Sequence, residues 1–302
     1  MSVSQLLQLV LLAAIWGASF LFMVIATPQF GALALIEMRV LLAALVLLPF
    51  WWFREGNKQI ALIRENLATL FWVGLLNSAA PFVLFAYSVL YISGGVASVL
   101  NSTAPIWGAL VAWLWLKERL SVAASLGLIV GVTGVIILVS GELFSEQASS
   151  IDSVNRATGL LAAAVAPILY GIAANLTSAK LGKISPLTNT TFSLIAASII
   201  LLPLALFNLP AQMPSQVAWL CAIILAVVCT SLASLMFFRL IAQIGSTRAI
   251  TVAFLIPVFG TLWGVIFIGE TVSITMIVGM AIILLGTALA VGILQPKILS
   301  KA

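Results

Sequence analysis

The sequence has 302 residues, of which 63% are apolar and only 7% are charged, whereas typical soluble domains are roughly 45–50% apolar and ~25% charged. This composition excludes an ordinary soluble domain and supplies enough apolar residues for nine or ten membrane spans of ~20 residues each. The absence of histidine excludes an imidazole proton relay and a His-ligated metal site, and we expect no metal or other cofactor. The net charge of +5 is explained by where the basic residues lie relative to the spans, so we expect no nucleic-acid partner.

Ten apolar segments of helix length follow one another along the chain. They are residues 4–26, 32–53, 67–91, 95–116, 121–140, 157–179, 186–207, 215–240, 247–268 and 272–294. Continuous apolar runs of this length predict helices, because the strands of a membrane barrel alternate in polarity over ~10 residues. The predicted fold class is therefore all-α, a polytopic protein with ten transmembrane helices in a lipid bilayer.

The basic residues indicate the orientation of the chain. If the N-terminus is cytoplasmic, eleven of the 13 Lys and Arg residues lie at inside loops and helix ends, one (Arg156) lies in an outside loop, and Arg39 lies within the second span. The positive-inside rule then places both termini in the cytoplasm. Residues 1–5 have no basic segment, so the first span is predicted to be a retained helix rather than a cleaved signal.

The chain contains an internal repeat. A shift of 152 residues aligns six pairs without a gap, namely Ala97 with Ala249, Pro105 with Pro257, Gly108 with Gly260, Glu118 with Glu270, Gly127 with Gly279 and Gly134 with Gly286. At a shift of 154, Trp16-Gly17 aligns with Tyr170-Gly171. We predict a first five-helix repeat in 1–140, an extracytoplasmic linker in 141–156 and a second repeat in 157–302. Because five is odd, the second repeat is inverted, as is common in secondary transporters.

The repeated signature resembles the drug/metabolite transporter superfamily, in particular its EamA-like ten-helix branch. In the first half it comprises Pro105, Gly108, 116–118 and Gly127, and in the second half Pro257, Gly260, 268–270 and Gly279. Trp16-Gly17, Arg39 in span two and 238–241 before Gly245 also match the pattern. The resemblance implies a bacterial inner-membrane carrier that exports amino acids, related metabolites or amphiphilic toxic compounds.

Arg39 and Glu37 are the ionisable residues expected inside the hydrocarbon. Arg39 lies about 10 Å along span two, and an intramembrane charge normally faces a partner, the bundle interior or water. Arg39 either lines the outward part of a cavity, where it attracts a carboxylate or closes a gate, or contacts the carbonyls at a helix end. Glu37 is two residues away and need not pair with it. It is the leading candidate for carrying a proton.

Glu118 and Glu270 follow long spans at opposite membrane faces. A Glu at a tight helix connection can accept hydrogen bonds from the free amides of the next helix's first turn. The symmetric placement favours this structural role at a repeated turn over proton coupling.

Pro105 and Pro257 lie inside spans four and nine, where each removes an amide donor and bends its helix, and we expect both helices to face the translocation path. Asn101 is four residues before Pro105, and Asn77 is four before Pro81. Both amides are predicted to line the cavity, although bonding between helices is the alternative.

Several aromatic residues lie too deep for an interfacial belt. Trp16, Trp107, Trp263 and Tyr170 either form an aromatic cage around a substrate or pack in the protein interior. Tyr87 and Tyr91, near the outer end of span three, either gate the path or anchor at the interface. Gly127, Gly131 and Gly134 form a small-residue face that either packs helices within one protomer or joins two protomers in a homodimer.

These observations predict a secondary transporter that exports a small-molecule substrate by alternating access, with amino acids the first candidate and a broad multidrug exporter the alternative. The sequence has no Gly-rich phosphate-binding loop, so ATP hydrolysis is not the predicted driver. A membrane-embedded enzyme is disfavoured because no nucleophilic or clustered acidic constellation is present. A channel would differ in showing no substrate saturation or counterflow.

Overall fold

The computed structural model describes residues 2–118, 120–144 and 153–293. These residues form fourteen α-helices and two π-helical segments. The α-helices are α1 (Val3–Phe30), α2 (Ala32–Glu65), α3 (Leu67–Gly74), α4 (Ala80–Ser88), α5 (Gly94–Asn101), α6 (Ala104–Trp115), α7 (Val122–Leu143), α8 (Ser153–Lys180), α9 (Pro186–Leu206), α10 (Gln216–Ala226), α11 (Ala233–Ile244), α12 (Ser246–Ala249), α13 (Val252–Ile268) and α14 (Ile274–Ala290). The π segments are Leu75–Ala79 and Val227–Leu232.

The helices give the ten predicted spans. Eight helical segments are long and apolar enough to cross a membrane, and two shorter apolar helices, α13 and α14, complete the set. The predicted all-α, polytopic class with two inverted five-span halves is therefore confirmed. Of the predicted linker, residues 145–152 lie outside the described residues, as do residues 294–302 at the end of the chain.

Serine residues mark where many of these helices begin. In each case the Ser Oγ accepts a hydrogen bond from the amide three residues later, which satisfies one of the free donors of the first turn. The capping residues are Ser2, Ser93, Ser121, Ser185, Ser215 and Ser273. A serine immediately before an apolar run is thus the local signal that starts the helix.

The second helix is longer than predicted. It has 34 residues, about 51 Å at 1.5 Å per residue, and so extends beyond a hydrocarbon core of ~30 Å. The extension carries Glu55, whose carboxylate accepts hydrogen bonds from the hydroxyls of Ser185 and Thr188 at the start of α9. This contact attaches the end of one helix to the beginning of its counterpart in the second half.

The two halves pack into one another in a symmetric pattern. Helix α2 packs on α9 and α7 packs on α14, which joins equivalent spans of the halves. Helix α1 packs on α13 and α8 packs on α6, so the first span of each half contacts the fourth span of the other. This is the pairing expected for inverted repeats related by an axis in the membrane plane.

The small-residue face of span five packs within the chain. A Cβ added at Gly134 would lie 2.8 Å from the backbone nitrogen of Ile283, and one added at Gly127 would overlap the backbone of Gly286 and Ala290. The close approach of α7 and α14 therefore requires glycine at these positions. Of the two predicted uses of this face, packing within the protomer is the one observed.

Interruptions of the helices occur at related positions of the two halves. The π segments lie in the third span of each half and begin at Leu75 and Val227, 152 residues apart. In span four the helix is interrupted at 102–103, immediately before α6, of which Pro105 is the second residue. In span nine the interruption lies at 250–251, and α13 continues through Pro257, so a bend at Pro257 stays a prediction. The N–H group that Pro257 lacks therefore does not end α13.

Candidate substrate-binding cavity

A cavity of about 760 Å³ lies between the two halves, within the range of small-molecule sites, roughly 300–1,000 Å³. Spans one to four of the first half and six to ten of the second supply its lining. Six residues predicted to have a functional role are in this lining, namely Trp16, Arg39, Asn77, Asn101, Pro105 and Tyr170. The structure therefore brings together residues from five spans that are far apart in sequence.

The two π segments both contribute to the cavity wall. Asn77 and Ser78 come from the first segment, and Cys229 and Thr230 come from the second. At a shift of 152 these pairs are equivalent positions. A π turn carries one extra residue within a helix and is often found at functional sites. The insertion changes which side chains of the third span of each half face the centre.

Arg39 is the charged residue of the cavity. Its Nε donates a hydrogen bond to Thr230 Oγ1 at 2.9 Å, and its guanidinium carbon lies 3.7 Å from the centre of the Phe82 ring. One terminal nitrogen contacts the Met23 sulfur at 4.0 Å. Arg39 has no carboxylate within ion-pair distance in the described part of the chain. A hydroxyl and an aromatic ring thus position the guanidinium but leave its charge unneutralised.

Aromatic side chains form much of the remaining wall. Tyr170 stacks on Phe85 with ring centres 6.3 Å apart, and Phe85 meets Phe20 edge to face at 5.5 Å. On another side Trp16 packs against Phe237 at 5.2 Å. The cavity therefore combines one cation with a predominantly apolar, aromatic surface.

Two of the predicted aromatic residues lie outside this lining. Trp107 donates from Nε1 to Thr103 Oγ1 at 3.2 Å within span four. Trp263 donates from Nε1 to the Ala14 carbonyl at 3.0 Å and stacks on Phe259. Both indoles are occupied in helix packing, in agreement with the alternative interpretation given above.

Glu37 is buried but does not line the cavity. One of its oxygens accepts a hydrogen bond from Ser198 Oγ at 2.6 Å, and the other has no hydrogen-bond partner among the described residues. The carboxylate lies between α2 and α9 and does not pair with Arg39. Its predicted role in carrying a proton stays a prediction.

Tyr87 and Tyr91 lie together at the end of span three. Their rings are 5.1 Å apart, and the Tyr87 hydroxyl lies 3.2 Å from Thr158 Oγ1 in α8. A Cβ added at Gly159 would lie 2.9 Å from Tyr91 Cβ, so α8 approaches this pair closely. The contact closes the two halves against each other at this end of the bundle. A gating role for the pair stays a prediction.

Glu270 caps a different helix from the predicted one. Its carboxylate accepts hydrogen bonds from the amides of Gly94, at 2.6 Å, and Gly95, at 3.1 Å, which begin α5 in the first half. The next helix, α14, already has a capping residue, Ser273. Glu118, the equivalent residue, is exposed and has no side-chain hydrogen bond within the described ranges. We call the two ends of the bundle the Glu118 face and the Glu270 face.

The cavity extends towards the Glu118 face. Its lining reaches Ile250 and Val291 near the Glu118 face, whereas residues 86–100 and 257–281, which lie towards Glu270, contribute nothing to it. These two segments therefore separate the cavity from the Glu270 face. The two faces of the bundle therefore differ, although the two halves that form them are related in sequence.

Some lining residues were not found by sequence reasoning. Thr230 and Cys229 lie in one π segment and Phe82 follows the other, and all three were missed because π segments cannot be recognised in an apolar run. Asn175 donates to the carbonyls of Gly108, at 2.9 Å, and Gly171, at 2.8 Å, where α6 crosses α8. The shift of 152 could have identified Thr230, since it aligns this residue with Ser78, one position after Asn77.

The comparisons with known proteins agree with this architecture. The EamA-like transporter family matches residues 4–140 and 157–292. The "Uncharacterized transporter YoaV" of Bacillus subtilis (strain 168) is 21% identical over 94% of this chain and 95% of that protein. An "Uncharacterized transporter" of Archaeoglobus fulgidus is 25% identical over 75% of this chain and 78% of its own length.

One further relative and one solved structure are also similar to this chain. "Protein PagO" of Salmonella typhimurium (strain LT2) is 26% identical over 66% of this chain and 62% of that protein. One solved crystal structure superimposes over 100% of both chains with a TM-score of 0.64 and 17% identity, which supports the fold. The chain belongs to the EamA-like transporter family and is a multi-pass membrane transporter.

Proposed function

We propose that the protein is a secondary carrier that exports small amphiphilic metabolites, with amino acids the first candidate, across a bacterial inner membrane by alternating access. Both termini lie in the cytoplasm in this proposal, because eleven basic residues then lie inside against one outside. The cavity then opens to the cytoplasm, the side from which an exporter takes up its substrate.

The observation that carries this proposal is the cation at Arg39. A buried charge without a counter-ion is unfavourable, so an anionic group that enters the cavity gains both a Coulombic and a hydrogen-bonding partner. Nε is occupied by Thr230, and the guanidinium retains donors on its terminal nitrogens. A substrate carboxylate is the simplest group that satisfies them.

The rest of the cavity suits the other parts of an amino acid. Asn77 and Asn101 have side-chain amides without a partner in the described residues, and an amide oxygen can accept a hydrogen bond from an ammonium group. The rings of Phe82, Phe85 and Trp16 provide an apolar surface for a side chain. A substrate with a carboxylate, an amine and an apolar part would use all three features.

A flux assay in proteoliposomes tests the proposal. We expect saturable uptake and counterflow with members of a panel of amino acids, measured with and without an imposed pH gradient. The matched comparison is between each amino acid and its methyl ester, because the ester retains the side chain but has no carboxylate to bind Arg39.

Three outcomes would contradict the proposal. Equal transport of acids and esters, together with transport of unrelated cationic amphiphiles, would favour the multidrug alternative. Flux without saturation or counterflow would indicate a channel. Chemical conversion of the added compound in the lumen would indicate an enzyme.

A further inference from the structure

Glu270 joins the two halves on the closed side of the bundle. Its carboxylate belongs to the second half, whereas the amides of Gly94 and Gly95 that it binds belong to the first. These amides are free donors at the positive end of the α5 dipole, where a carboxylate is stabilised. The two glycines and Gly264 leave no side chain between the carboxylate and the helix, and a Cβ at Gly95 would lie 2.7 Å from Met276. The contact thus closes the Glu270 face.

Glu118 is held in the same local conformation as Glu270. The preceding residues, Lys117 and Gly269, both have a left-handed backbone, with φ of +58° and +67°. In both turns the Glu amide donates to the carbonyl six residues earlier, Glu118 to Ala112 at 3.3 Å and Glu270 to Gly264 at 3.0 Å. Lys117 is the one non-glycine residue with positive φ in the described part of the chain, and this conformation is unfavourable for a residue with a side chain. The turn that presents Glu118 therefore forms although the backbone conformation of Lys117 is energetically unfavourable.

The segment that Glu118 would bind has a different conformation. Gly94 and Gly95 correspond, at the shift of 152, to residues 246 and 247. Residues 94–101 form one uninterrupted helix, α5, whereas the equivalent residues 246–253 are divided between α12 and the start of α13 by the interruption at 250–251. The Glu118 face thus has the carboxylate in position but not the regular helix whose amides it would cap. This is also the face towards which the cavity extends.

We propose that Glu270 and Glu118 are alternating latches of the transport cycle. In the state described above, Glu270 binds the amides of residues 94 and 95 and closes its face. In the opposite state Glu270 releases these amides, residues 246–253 become one helix, and Glu118 binds the amides of residues 246 and 247 to close the other face. Because one contact replaces an equivalent one, the two states remain close enough in free energy to interconvert.

This proposal rests on the alternating access proposed above, and its test measures access rather than flux. A single cysteine is introduced as Ala253→Cys, a position in the cavity lining, in a chain that carries Cys221→Ser and Cys229→Ser. A membrane-impermeant maleimide is added to one face at a time, in vesicles of both orientations. The ratio of the two labelling rates reports which face is open. Failure to transport amino acids would leave this measurement unaffected.

The two variants should shift this ratio in opposite directions. Glu270→Gln weakens a charge-assisted contact of the present state, so labelling from the Glu270 face should rise about tenfold. Glu118→Gln weakens the opposite state, so labelling from the Glu270 face should fall by a similar factor. The double variant should return the ratio to the parent value. Glu65→Gln, which changes an exposed carboxylate at the end of α2, is the control and should leave the ratio unchanged.

The proposal is overturned if both variants shift the ratio in the same direction, or if neither shifts it. Should Glu270→Gln fail to accumulate, Glu118→Gln decides alone, because Glu118 is exposed and its loss removes no contact described in this structure. If the Glu118→Gln variant accumulates normally and is labelled from the Glu270 face at the same rate as the parent, the proposed exchange of latches is contradicted.

Discussion

Arg39 donates a hydrogen bond from Nε to Thr230 Oγ1 at 2.9 Å, although 191 residues separate them in sequence. The bond joins the second span of one half to the π segment in the third span of the other. Thr230, which lies in the π segment, in turn donates to the carbonyl of Leu225, five residues earlier in the last turn of α10. The position of the cation therefore depends on the helix irregularity opposite it.

Loss of the guanidinium should weaken the binding of carboxylates. We expect Arg39→Gln to raise the KM for substrates with a carboxylate by about 10- to 100-fold, because a hydrogen bond to a charged group contributes roughly 1.5–3 kcal/mol. Arg39→Lys should have an intermediate effect, since Lys retains the charge but not the planar set of donors. Initial rates in proteoliposomes measure the change.

The control for this experiment is Arg54→Gln, which removes a guanidinium that lies outside the cavity lining and near the Phe50 ring, 5.8 Å from its centre. Its KM should equal that of the parent. An unchanged KM in Arg39→Gln would mean that the substrate does not approach Arg39 with an anionic group.

Removal of the Glu37 carboxylate tests proton coupling. Glu37→Gln retains an oxygen that can accept from Ser198, so we expect normal accumulation but a loss of the pH-driven component of flux. Downhill exchange without a gradient should persist, because no proton needs to move with it. Flux is measured with and without an imposed pH gradient. If gradient-driven flux is unchanged in Glu37→Gln, this carboxylate does not carry the coupled proton.

Hydropathy and the shift of 152 predicted the spans, their number and the equivalence of Glu118 and Glu270. These features depend on local sequence, since each span must be apolar along its own length. The partner of Glu270 could not be predicted, because the amides of Gly94 and Gly95 lie about 175 residues away and no side chain there signals a contact. The difference between the two faces could not be predicted either, because two turns of equivalent sequence position have different surroundings in one conformation of the protein.

The sequence alone also could not predict which of the deep residues line the cavity. Trp16 and Trp263 are both deep indoles in apolar runs, yet one lines the cavity and the other donates to the Ala14 carbonyl. Which face of a span is central depends on the helix crossing angle and on π segments, which shift the register after Asn77 and Cys229. Apolar periodicity gives little help, since lipid-facing and buried positions are both apolar in a membrane protein.

The crossing of α6 and α8 predicts different effects for two adjacent glycines. A Cβ at Gly171 would lie 2.7 Å from the Gly108 nitrogen, whereas the nearest atom to a Cβ at Gly108 is 4.0 Å away. Gly171→Ala should therefore destabilise the protein by roughly 1–3 kcal/mol, and Gly108→Ala should remain near the parent. Thermal unfolding in detergent measures both. Equal melting temperatures would show that the two helices can move apart at this point without cost.

The orientation of the chain can be tested independently of transport. A reporter enzyme fused after Ala302 should be active only in the cytoplasm, because the basic residues favour cytoplasmic termini. A fusion within the loop before Arg156 should show the opposite activity. Extracytoplasmic activity of the C-terminal fusion would reverse the assignment of the Glu118 and Glu270 faces.

The cavity predicts which substitutions alter specificity and which alter protein level. Asn101→Ala and Trp16→Ala remove groups from the lining, so we expect a changed order of substrate preference with a near-parent amount of protein. Asn101 is the sharper case, because its counterpart at the shift of 152 is Ala253, so that only one half has an amide at this position of the repeat. Trp263→Phe is the matched control, since it removes the hydrogen bond to Ala14 and should lower the amount of protein rather than change preference. Competition with a panel of amino acids gives the preference, and quantitative blotting of membranes gives the level. If Asn101→Ala and Trp16→Ala transport every substrate as the parent does, or fail to accumulate, these two residues stabilise packing and the substrate binds elsewhere.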